Sequence, residues 1–161
     1  MASKRLGRQT VRLEEPVSVV SFANIGGKQE ARGPLAAYFD ELNQDAYFGQ
    51  KSWEKGESAM QQFALRRAME KGGLIPEDLD YVLAGDLLNQ CIGTSFSLRD
   101  FKIPFYGLYG ACSTMGESLS LAALLIDGGF ASIVAAMTSS HFCTAERQYR
   151  MPVLYGNQRT P

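Results

Sequence analysis

An α/β fold with a largely parallel sheet is predicted by three observations. Short β-branched or apolar runs alternate with segments of helical period, the runs are of strand length, and glycine pairs close two of the helical segments. Runs at 17–23, 79–85, 105–109 and 131–137 are the strands; 54–71, 92–101 and 113–127 are the helices. The order βαβαβαβ requires right-handed crossovers and puts helices against a mostly parallel sheet.

Residues 1–16 are polar and end in Glu14-Glu15-Pro16, so a flexible arm is expected before a domain at 17–161. Val17 to Ala23 has the β-branched content of a strand. From Gly26 to Gln50, Gly26-Gly27, Gly33-Pro34 and scattered aromatics show no clean period, which predicts a long loop with a short helix near Leu35 to Leu42. Met60, Phe63, Ala64, Ala68 and Met69 then fall on one side at helical spacing, and Gly72-Gly73 supplies the stop. Pro76-Glu77-Asp78 introduces the strand Leu79 to Gly85, and a short helix between Ile92 and Phe101 leads to the strand near Phe105 to Tyr109. The third long helix, Ser113 to Asp127, is closed by Gly128-Gly129, and the strand Ala131 to Met137 follows.

The second half of that third helix, Leu119 to Ile126, is apolar almost all the way round, whereas a helix covering one sheet should keep a polar outer face. Its far side is covered by a second copy of the unit, by a second half outside this chain, by another chain, or by deep burial within a single two-layer domain.

Composition narrows the function. With 16 Lys and Arg against 17 Asp and Glu, net charge −1, the chain has no overall field for nucleic acid or an anionic membrane. A basic start, Ser3 to Arg8, is followed by no apolar signal core, and the longest fully apolar run, Leu121 to Ile126, is too short to span a bilayer, so a soluble, cytosolic-side protein is expected. Cys91, Cys112 and Cys143 form no CxxC pair; an odd count at wide spacing fits neither a disulfide framework nor a zinc site, and no metal or cofactor is expected.

Gly110-Ala111-Cys112-Ser113 lies between a strand and the third helix, at the sheet edge where open α/β folds place their sites. A helix start offers free N–H groups that favour a thiolate and hold a carboxylate nearby, and the Ser113 hydroxyl is placed to act as N-cap. The position suits a nucleophile; the competing reading is a small buried hydrophobe. Asp86 ends its strand and reads as a structural cap. Phe101, Phe105, Tyr106 and Tyr109 read as core or as a subunit face.

The residues Ala84 to Gln90, Ile103-Pro104, Gly110 to Ser113, Leu121 to Ala123 and Gly128 to Ala136 resemble the N-terminal half of thiolases and ketoacyl synthases. With Val17 to Asn24, Trp53-Glu54-Lys55-Gly56-Glu57 and Leu154 to Pro161, the whole chain is similar to SpoVAD-like proteins, thiolase-fold relatives from spore-forming bacteria. The resemblance implies a five-stranded, mostly parallel but mixed sheet with helices on both faces. That unit is one half of a two-fold αβαβα architecture whose second half is absent from this chain.

What the resemblance implies about function is a binder of dipicolinic acid. Such a protein supports uptake of that acid into the developing spore, beside membrane-embedded subunits of the same complex. It would be cytoplasmic, peripheral to the forespore inner membrane, and homodimeric through the aromatic strand. In the condensing enzymes the cysteine accepts an acyl group, with a His-His or His-Asn pair from the second half; acyl transfer on Cys112 is the alternative, as is a purely structural adaptor. Ser113-Thr114-Met115 follows Cys112 where thiolases often carry Gly, which narrows approach to the sulfur and favours binding without turnover. A planar dicarboxylate needs donors at two ends: backbone N–H groups of Cys112 to Thr114 with the Ser113 or Thr114 hydroxyl, and the Asn89 and Gln90 amides, with His141 facing the same pocket. For Asn89 and Gln90 the competing reading is a turn, and for His141 a solvated loop.

Overall fold

A computed structural model of the protein describes residues 4–146. Its centre is a fully parallel three-stranded sheet in which β5 (Tyr81–Gly85) lies between β6 (Phe105–Gly107) and β7 (Val134–Thr138). Val82 stands opposite Phe105 on one side and Ala135 on the other. Because β5 is covered on both faces, its Val82, Leu83 and Ala84 are at most 1% exposed, which is why this segment reads as a continuous apolar run.

Helices cover both faces, as predicted. On one, Val82, Ala84 and Met137 form a single cluster with Leu65 and Met69 of α1 (Trp53–Gly72) and Leu98 of α2 (Ile92–Leu98). Helix α1 starts at Ser52, whose hydroxyl accepts from the Lys55 N–H (3.3 Å), and stops at Gly73, left-handed at φ 65°. On the other face, α3 (Thr114–Asp127) buries Thr114, Ser118 and Ala122, small residues four apart that let it approach closely. A Cβ on Gly85 would stand 2.9 Å from the Thr114 methyl and 1.9 Å from the Leu108 carbonyl oxygen, so only glycine closes this contact. Met115, Leu119 and Leu124, between 43% and 49% exposed, are the uncovered apolar side of α3.

The structure corrects the prediction in several places. Residues 17–23 form no strand: Ser21 Oγ donates to the Ala68 carbonyl of α1 (2.7 Å), Phe22 lies under Lys71, and Val19, Val20 and Phe22 are more than 60% exposed. β-branched content specifies an extended backbone but not a ladder partner. Three of the four strands located in the sequence therefore share one sheet among the described residues, and a separate parallel pair joins β3 (Ile25–Gly26) to β4 (Glu41–Leu42). The expected helix at 35–42 is a single 3₁₀ turn, Ala36–Tyr38, followed by β4. In the segment expected as an arm, an antiparallel hairpin of β1 (Arg5–Leu6) and β2 (Thr10–Val11) packs back on the end of α3. There Lys4 Nζ reaches the Asp127 carboxylate (2.8 Å) and its carbonyl (3.1 Å), a cation at a helix C-terminus.

Candidate functional site

Strand β6 delivers the chain to a 3₁₀ turn, Ala111–Ser113, which leads directly into α3. Ala111 has φ 48°, a left-handed conformation that costs a non-glycine residue about 1 kcal/mol and here swings Cys112 outward, where it is exposed. The thiol opens onto a cleft of about 770 Å³ lined by Tyr109, Gly110, Cys112, Ser113, Gly116, Glu117 and Ser120. Among the described residues Cys112 stands exposed at a strand-to-helix turn.

The turn uses most of its own donors. Ser113 N–H and Oγ–H both donate to the Gly110 carbonyl (2.9 and 2.7 Å), and Thr114 N–H donates to the Ala111 carbonyl. Ser113 is thus not a side-chain N-cap, and two of the three backbone N–H groups expected to hold a carboxylate are already bonded within the turn. Thr114 Oγ1 accepts from Gly110 N–H (3.2 Å) while its methyl packs on Gly85; the side chain is buried outside the cleft lining. A 3₁₀ turn one residue ahead of the helix consumes the groups that an abrupt α-helical start would leave free, and sequence spacing does not distinguish the two.

Asn89 and Gln90 are exposed on a tight turn that follows β5, with Gln90 and Cys91 both left-handed at φ 59° and 52°. They lie outside the cleft lining, although their turn is tied to its wall by Tyr109 Oη–H donating to the Leu87 carbonyl (3.4 Å) and Cys91 Sγ–H to the Leu108 carbonyl (3.1 Å). Burial pushes the Cys91 thiol pKa up. Asp86 is the cap that its position suggests: it accepts from Leu88 N–H (2.8 Å), Thr94 N–H (2.7 Å) and Thr94 Oγ–H (2.6 Å).

His141 is also outside the cleft. Its Nδ1 accepts from Cys143 N–H (3.1 Å), which requires a bare nitrogen there, so Nε2 carries the hydrogen and donates to the Ala46 carbonyl (2.7 Å). The imidazole is thereby a strut between residues 43–50 and the segment after β7.

The cleft residues that sequence reasoning missed are Glu117 and Ser120, one and two turns along α3 from Ser113; helical period alone would have aligned them with it. Glu117 Oε2 and Ser113 Oγ each lie 2.6 Å from where a Cβ on Gly110 would stand, so the absence of a side chain at 110 lets both fold over the turn. Glu117 also sets the cleft's charge: it lies beside the Ser113 hydroxyl, so an anionic ligand reaches that hydroxyl only with the Glu117 carboxylate swung aside. Among the described residues no three His, Cys, Asp or Glu side chains converge as a metal site, and no helix is long and apolar enough to cross a membrane.

Comparison with known proteins finds relatives by family, by sequence and by structure. A family model described as Stage V sporulation protein AD (SpoVAD) matches residues 7–161. The Stage V sporulation protein AD of Bacillus subtilis (strain 168) is 44% identical over 156 residues, covering 97% of this chain and 46% of that protein, so the chain spans about half of its relative. The matched region includes Leu154 to Pro161, which lie outside the described residues. Among solved structures, 3-oxoacyl-[acyl-carrier-protein] synthase III from Aquifex aeolicus VF5 aligns at TM-score 0.48 and 20% identity over 53% of this chain and 30% of the other. The priming β-ketosynthase of the R1128 polyketide pathway aligns at 0.46 and 21%, over 53% and 28%.

Proposed function

We propose, given that this chain belongs to the stage V sporulation protein AD family, that it is one thiolase-like half of a sporulation protein that binds dipicolinic acid without turning it over. The observation that carries this reading is the exposed Cys112 at the mouth of an open cleft whose walls supply hydroxyl groups but no imidazole. A ligand carboxylate draws the Ser113 and Ser120 hydroxyl hydrogens from their backbone acceptors, Gly110 O and Gly116 O, and the ring lies along Tyr109. Within the described residues no histidine base reaches the thiol, since His141 has both ring nitrogens engaged elsewhere; in the condensing enzymes the base comes from the second half.

The finer parts of the proposal follow the family resemblance. The protein works in uptake of the acid beside membrane-embedded partners, peripheral to the forespore inner membrane. Two copies pair through the free edge of β6, where Tyr106 and Tyr109 are about half exposed. The remainder of the polypeptide covers Met115, Leu119 and Leu124.

Calorimetric titration of the full-length protein with dipicolinate tests the reading. Saturable binding that survives in Cys112→Ala and weakens in a Ser113→Ala, Ser120→Ala double variant is expected. No saturable binding, or a stable acyl adduct on Cys112 after exposure to acyl-thioesters, overturns it.

A further inference from the structure

Among the described residues, Glu57 on α1 and Asp86 after β5 are each only 1% exposed. Their surroundings differ. Asp86 receives two backbone N–H groups and a hydroxyl, a donor set suited to a carboxylate. Among the described residues Glu57 hydrogen-bonds through its carboxyl to hydroxyls alone: Ser139 Oγ at 2.6 Å from Oε1 and Thr144 Oγ1 at 2.7 Å from Oε2. Gln61 joins the two sites, its Nε2 donating to Thr94 Oγ1 (3.1 Å) and to Ser139 Oγ (2.5 Å).

Counting hydrogens distinguishes the protonation states. Ser139 Oγ already accepts from Gln61, so its own hydrogen goes to Glu57 Oε1. Thr144 has one hydroxyl hydrogen and two oxygens in range, Glu57 Oε2 and the His141 carbonyl at 2.8 Å. With Glu57 ionised, one of those two contacts holds no hydrogen. With Glu57 protonated on Oε2, the acid donates to Thr144 Oγ1, Thr144 donates to the His141 carbonyl, and both are filled.

We propose that Glu57 is kept as a neutral carboxylic acid and that its proton latches the segment 139–146 onto α1, so that losing the proton loosens the segment. The segment is positioned to pass such a change on. Ser139 N–H bonds to the Gly85 carbonyl at the end of β5 (3.2 Å), and His141 holds the 43–50 loop through Ala46. The titratable groups acting on Glu57 are Asp86 from the β5 end, whose charge opposes ionisation, and His141 from the segment itself, which favours it only when the imidazole is protonated. The neighbouring α2 presents the neutral Thr94 and Ser97, both joined to Gln61. Burial is the largest influence and raises the Glu57 pKa. A carboxyl raised on folding stabilises most below its unfolded range, and that contribution disappears as pH climbs through the folded value. The inference stands on α1 and the β7 end and is independent of what the cleft binds.

The test uses the full-length protein and Glu57→Gln, which copies the neutral acid by donating to Thr144 and accepting from Ser139. Melting temperatures of the two should coincide in mild acid and separate as pH rises, the variant melting higher. In the wild type, exchange of the Thr144 amide should accelerate up to about tenfold per pH unit beyond its intrinsic rate above the Glu57 pKa. Parallel melting curves at all pH values overturn the proposal. Should the variant not fold, carbon-detected titration of wild-type glutamate carboxyls decides: one resonance titrating well above the rest supports the latch, and none doing so overturns it.

Discussion

The carbonyl oxygen of Tyr47 lies 2.7 Å from the point where a Cβ on Gly56 would stand. The loop backbone therefore passes directly over the first turn of α1, where Tyr47 stacks on Trp53 at 5.6 Å between ring centroids. Gly56→Ala should push the loop off, costing about 1–3 kcal/mol by overpacking against rigid backbone. Trp53, the chain's one tryptophan, reports the event: its emission should shift to the red along with a lower melting temperature.

Gly85 and Gly110 make an instructive pair. A Cβ at 85 would meet the Leu108 carbonyl at 1.9 Å, inside the sheet, so Gly85→Ala should cost more than about 3 kcal/mol and fail to accumulate as folded protein. A Cβ at 110 meets the Glu117 carboxylate and the Ser113 hydroxyl, both able to swing aside. Gly110→Ala should therefore cost under about 1 kcal/mol in stability, yet change the rate of Cys112 alkylation by rearranging the cleft.

Cys112 and Cys91 should separate by reactivity. Under native conditions Cys112 should alkylate at least about tenfold faster than Cys91, which is buried and raised in pKa, as followed by mass spectrometry of digests. Equal rates would place Cys112 inside packed structure.

Asp127 holds the N-terminal hairpin by accepting from Lys4 Nζ and from the Glu14 N–H (2.7 Å), and the Lys4 hydrogen bond is the main cause of its lowered pKa. A carboxylate lowered on folding stabilises above its unfolded range and loses that contribution as pH falls through the folded value. Amide exchange at Glu14 should quicken on acidification below the ordinary carboxylate range, and Asp127→Asn should show the quick rate at neutral pH.

How far the sequence could be read depended on the kind of information each residue carries. Buried periodicity is local, so α1, α2, α3 and the strands at 81–85, 105–107 and 134–138 were legible within a few residues. Pairing is not local: Val17 to Ala23 has strand chemistry, but nothing in it names a neighbour. The position of Cys112 followed from glycine and cysteine at a strand-to-helix junction, whereas the 3₁₀ turn that takes up the Ser113 and Thr114 N–H groups has no spacing signature. His141 and Glu57 illustrate the other limit, since a polar loop residue and a helix glutamate look solvated until the fold brings Ala46, Ser139 and Thr144 against them.

Strand β5 sits between two parallel neighbours, each reached only through an intervening helix, so no hairpin can start the sheet. On a ribosome it acquires its first edge after α2 has emerged and its second only after α3. Until then Val82, Leu83 and Ala84 are a bare apolar strand. A parallel sheet closed this late is expected to assemble slowly, with its central strand open to aggregation in the meantime.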